Sequence, residues 1–106
     1  MNLFYEADEH PWEHIGEGLK RKVVSLSKDL MAIHVCFEKG AVGAIHNHTI
    51  QEQIGYVVKG SFEVEVNGIK QTLRAGDAFM SQQHLENGAK SLEHDSVLLD
   101  LVNPNY

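Results

Sequence analysis

The sequence predicts an all-β domain in which short strands close into a barrel or sandwich. Three observations carry this. Apolar and polar residues alternate with period two in several segments. Turn residues punctuate those segments at short intervals. No long segment carries a helical period, so any helix is minor; residues 9–15, with Pro11 near a first turn, are the place for one. Closing such a sheet also removes its exposed edges.

The elements follow in order. Residues 21–27 and 30–38 read as the first strands, and Met31, Ile33, Val35 and Phe37 share one face of the second. Gly40 turns the chain, and residues 44–48 form a short strand. Residues 53–59, QIGYVVK, form an apolar strand that ends at Gly60. Within it Ile54, Tyr56 and Val58 fall on one face and are read as packing residues. Gln53, Gly55 and Val57 fall on the other, where Gly55 marks a close approach. Phe62, Val64 and Val66 alternate with Glu63 and Glu65, whose face is read as solvated. Asn67-Gly68 then supplies the two left-handed positions of a type I′ hairpin. Ile69, Gln71 and Leu73 continue the alternation on the return strand. Residues 78–81 and 89–92 are short strands around a polar loop. Residues 96–102, SVLLDLV, are the last strand, stopped by Asn103-Pro104.

The chain has 106 residues, enough for one core and not two. Its net charge is −6 and its pI about 5.5, which argues against nucleic acid or an anionic membrane as partner. A small anionic ligand is not excluded, because a local cation can dominate one pocket. The single cysteine, Cys36, rules out an internal disulfide, and the sequence shows neither a signal-peptide pattern nor an apolar run of spanning length. A reduced, cytoplasmic setting is the expectation.

His46 and His48 carry the chemistry. Side chains two apart in a strand point the same way, so two imidazoles converge at a spacing that suits one metal ion. Gln53 opens the next strand, where a short turn folds its carboxamide oxygen back toward them. Two solvated histidines beside a turn are the plain alternative. Asp100 interrupts an apolar strand, on the face of Leu98 and Val102. A carboxylate there is costly to bury unless paired or functional; an exposed strand face or a structural ion pair is the alternative. Arg21, Lys22 and Arg74 are read as solvated charges, one of which can meet a ligand carboxylate. His34 and Cys36 are given structural roles, and His10, His14 and His94 are placed in loop or terminal segments.

The stretch GAVGAIHNHTIQEQIGYVVKG, from Gly40 to Gly60, resembles the first motif of the cupin superfamily. RAGDAFMSQQHLENG resembles the second. The likeness covers roughly residues 10–104 and implies a cupin-type double-stranded β-helix, a jelly-roll barrel, in one domain spanning 1–106 with its core at about 20–103. Within the cupins, PWEHIGEGLKRKVVS, FEKGAVGAIHNH and LLDLVNP are similar to the small single-domain pectin-degradation type. That resemblance implies a divalent metal, zinc, nickel, iron or manganese, held at His46, His48, Gln53 and Asn87, with acid–base work at Asp100. It implies opening of an unsaturated uronate, an anionic small molecule, and a homodimer. Asn87 stands where the family has its last histidine, and Gln82-Gln83-His84 replaces its Pro-x-Gly turn; Glu52 and His84 are further ligand candidates. The family's arginine after the final proline is missing. Two other readings stay open: a sugar-binding cupin without chemistry, and another metal-dependent cupin such as a dioxygenase or isomerase.

Overall fold

The computed structural model describes residues 3–45, 50–82 and 85–104. Its strands are β1 (Glu13–Gly16), β2 (Leu19–Leu26), β3 (Met31–Phe37), β4 (Val42–Ile45), β5 (Ile50–Lys59), β6 (Ser61–Val66), β7 (Ile69–Arg74), β8 (Ala78–Gln82), β9 (Asn87–Ser91) and β10 (Ser96–Pro104). They form two antiparallel sheets. One has the order β1-β2-β3-β10-β5-β8 and the other β4-β9-β6-β7. This is the jelly roll that the sequence predicts, with two sheets facing each other across one interior.

The alternation explains the packing. Phe62 and Val64 are buried while Glu63 and Glu65 are exposed. Phe62 meets Phe37 of the other sheet edge to face, with ring centroids 4.9 Å apart at 81°. Val35, Val57, Leu73, Ala89 and Leu98 complete the core around them. Asn67 and Gly68, at φ 52° and 80°, close the β6–β7 hairpin with Val66 opposite Ile69.

Two expectations are corrected. Residues 9–15 do not form a helix; only Ala7–Glu9 makes a 3-10 turn, and Glu13–Gly16 is a strand. The Glu17-Gly18 turn folds β1 back on β2, with Glu13 opposite Arg21, and sheet pairing outweighs the local helical signal. Ile54, Tyr56 and Val58 are not core residues. They lie half-exposed on the outer face, with Met80 opposite Ile54, and the inward face of β5 is the one bearing Gln53, Gly55 and Val57.

Gly60 shows how tightly one end is packed. It sits at φ 80°, and a Cβ built there would fall onto the Ser96 side chain and 2.9 Å from its Cα. Ser96 is fully buried, with its hydroxyl donating to the Glu93 carbonyl at 2.9 Å. Ser61, next in the chain, donates to the Glu93 carboxylate at 2.7 Å. Gly40 has a similar φ of 83° but nothing within 4 Å. Backbone strain is therefore shared, and only Gly60 adds a collision. We expect Gly60→Ala to cost roughly 3 kcal/mol or more and Gly40→Ala about 1 kcal/mol. Urea unfolding midpoints of the two variants measure the gap.

Candidate functional site

Between the sheets lies a cavity of about 500 Å³, walled by residues of both. Its lining is apolar for the most part, with Leu19, Ile33 and Phe79 among the large side chains. Among the described residues, four polar side chains reach it: Arg21, Gln53, Asn87 and Asp100. Arg21 and Asp100 are its charged residues among the described ones.

Strand parity explains why they meet. In β10, Leu98, Asp100 and Val102 are buried on the inner face. Gln53 stands on the neighbouring β5 opposite Val102, and Asp100 stands opposite Gly55. The diagonal brings the two side chains together, and the Gln53 Nε2 donates to Asp100 Oδ1 at 3.0 Å. Gly55 makes room at this point. A Cβ there would strike the ring of Phe79, its cross-strand partner, so the close approach read from the sequence is made by that ring. Asn87 comes from the other sheet, where it begins β9 opposite Ile45.

The electrostatics of this pair are unusual. Gln53 is 2% exposed and Asp100 7%. Burial pushes the Asp100 carboxyl up to about 6, and the amide donor from Gln53 pulls partly against that rise. An ionised carboxylate only accepts, so it selects the NH₂ end of the amide and leaves the oxygen facing elsewhere. That oxygen, Gln53 Oε1, is buried and has no hydrogen-bond partner among the described residues. The hydroxyl of Ser81, directly opposite Gln53 on β8, is in the same condition. A buried acceptor left open is expensive unless something occupies it.

Of the residues singled out from the sequence, the structure thus brings Gln53, Asn87 and Asp100 to one cavity. His46 and His48 lie outside the described residues, between Ile45, which pairs with Asn87, and Ile50. His84 also lies outside them. Glu52 is exposed on the outer face of β5, opposite in parity to Gln53. Lys22 lies against the Trp12 ring, with Nζ 4.8 Å from its centroid, and Arg74 ends β7 in an exposed position. One wall residue, Phe79, was passed over in the sequence and carried no signal of its own. Arg21 was named there with Lys22 and Arg74 as a charge that can meet a ligand carboxylate, and of the three it is the one on the cavity wall, sharing parity with Leu19 and Val23.

Two facing sheets with polar groups aimed into their interior define a cupin-type barrel, and the chain belongs to the cupin family. A model of the Cupin domain matches residues 33–95. The chain is 47% identical over 104 residues to the pectin degradation protein KdgF of Dickeya dadantii (strain 3937), covering 98% of this chain and 94% of that protein. It superposes on the structure of KdgF from Halomonas sp. with a TM-score of 0.93 at 45% identity, over 100% of this chain and 96% of that one. An RmlC-like cupin from Shewanella frigidimarina NCIMB 400 gives a TM-score of 0.88 at 33% identity, over 98% and 92%.

The raised Asp100 carboxyl has a consequence for stability. The unfolded chain loses this proton near 3.8 and the folded chain near 6, so folding retains a proton between those values. Stability from this group is whole below pH 4, falls as pH rises to 6, and stays at its reduced level above. The gap is worth roughly 3 kcal/mol. Asp100→Asn, which keeps the acceptor for Gln53, should therefore unfold at higher urea than wild type at pH 7.5. At pH 4 the two should nearly coincide. Unfolding in the presence of a chelator at both pH values checks this.

Proposed function

We propose that this chain opens an unsaturated uronate ring to the linear keto acid, as a step in pectin or related acidic-polysaccharide breakdown. The observation that carries the reading is Asp100. It is a buried carboxyl held near pH 6, hydrogen-bonded in place, at the wall of a cavity of sugar size. The identity to a pectin degradation protein supplies the substrate class.

The chemistry balances as an isomerisation. A proton leaves the anomeric hydroxyl, the C–O bond from the anomeric carbon to the ring oxygen breaks, and an aldehyde and an enolate result. A proton added to the vinylic carbon that does not bear that oxygen then gives the ketone. One proton comes off and one goes on, so a single group that can both accept and donate suffices. A carboxyl near 6 is populated in both forms around neutral pH, which suits it to both transfers. Walls that are apolar for the most part would limit competing water at the enolate.

The donor set fits a divalent cation. Gln53 Oε1 is a buried acceptor turned away from Asp100 and unpartnered among the described residues. Asn87 adds a second amide oxygen at the same cavity. We assign Gln53, Asn87, His46 and His48 as the holding residues. A metal bound by these neutral ligands would keep its full positive charge and polarise an oxygen of the substrate. Asp100 orients the Gln53 amide and moves the proton.

Asn87 in place of a histidine favours one alternative, a barrel that binds an acidic sugar without turning it over. The assay separates the two. Unsaturated galacturonate should lose its conjugated-acid absorbance when the protein is added. Chelation should abolish this loss and a divalent metal restore it. Asp100→Asn should slow it by about 10²- to 10⁴-fold while remaining folded. Turnover within a few-fold of wild type in that variant would remove Asp100 from the proton path.

A further inference from the structure

We infer that Arg21 is the carboxylate-binding residue of this cavity and fixes which end of an acidic ligand approaches Asp100. The inference deepens the uronate reading, but its test stands apart from turnover.

Arg21 is the positively charged side chain on the cavity wall among the described residues. The neighbouring cations of β2 are turned away, since Lys20 and Lys22 place their Nζ atoms 5.1 and 4.8 Å from the Trp12 centroid. Arg21 is engaged only lightly. Its Nε meets Glu13 Oε2 at 3.3 Å, with the two side chains 38% and 64% exposed. A half-solvated pair of that kind contributes little. The two terminal guanidinium nitrogens make no hydrogen bond among the described residues. They form the planar fork that grips a carboxylate through two parallel bonds.

Position adds the second argument. Arg21 stands opposite Val35, Val35 opposite Leu98, and Asp100 lies two residues beyond Leu98. The two charged residues are therefore about 10 Å apart across the sheet and about 7 Å along it. One sugar ring fits between the guanidinium and the carboxyl. Asp100, when ionised, repels a ligand carboxylate, and Arg21 attracts it. Both forces turn the acid end toward β2 and leave the rest of the ring at Asp100. Glu13 is then a resident competitor that a ligand displaces.

The test is binding of D-galacturonate against neutral D-galactose by titration calorimetry, with turnover of unsaturated galacturonate measured in parallel. Wild type should prefer the acid by at least tenfold. Arg21→Met should flatten that preference and raise KM for the unsaturated acid by a similar factor, with kcat changed far less. Arg21→Lys should restore part of it. Glu13→Gln, at an exposed site, should tighten the acid two- to fivefold. The inference is overturned if wild type shows no preference for the acid, or if the preference survives in Arg21→Met. Either result leaves the ring-opening reading standing wherever wild type turns over. Preference lost in Arg21→Met, in a protein without turnover, upholds the carboxylate site and removes the enzyme.

Discussion

The hydrogen bond between Gln53 and Asp100 is the interaction on which the interior depends. It joins adjacent strands of the larger sheet in a setting where neither side chain has much water to turn to. Buried polar groups are tolerated when satisfied and costly otherwise. Here satisfaction is partial. The carboxylate holds the amide nitrogen, so the amide oxygen is left open. A pair designed for stability would close both ends. A pair that leaves one acceptor free and one carboxyl near 6 gives up stability, a pattern that is common at functional sites and that the proposed role of Asp100 would explain.

The surrounding strands are arranged to keep that pair in place. Gly55 lets the Phe79 ring lie against the backbone beside Asp100. Gly60 and the buried serines close one end of the barrel without a side chain to spare. These contacts are tightly packed, and such packing would serve the proposed role of Asp100, because a proton carrier works only within hydrogen-bond reach of its target.

Much of this was readable from residue order. The hairpin at Asn67-Gly68, the alternation of β6 and the shared face of Leu98, Asp100 and Val102 all follow from a two-residue period and standard turn chemistry. Other features were not. Parity divides a strand into two faces but does not say which face is inside. Ile54, Tyr56 and Val58 are the more apolar set, yet they face outward, because Gln53 and Gly55 are needed within. The first strand was hidden by a local helical signal that sheet pairing overrode. Arg21 was visible only as one of three candidate cations, since which of Arg21, Lys22 and Arg74 reaches the cavity depends on how the two sheets face each other.

Arg21 and Asp100 together also resolve a conflict in the charge of the chain. A protein of net charge −6 repels an acidic ligand at long range. Screening confines that repulsion to about 8–10 Å at physiological salt, and inside the cavity the local groups decide. There, among the described residues, the wall offers one fixed cation, one carboxyl that can shed its charge near neutral pH, and neutral amides. When Asp100 is protonated, the described charged lining is net positive. It approaches neutrality only as Asp100 ionises. On the proposed reading, an acidic ligand would be favoured by the state in which Asp100 has a proton to give, so binding and proton donation would draw on the same protonation state.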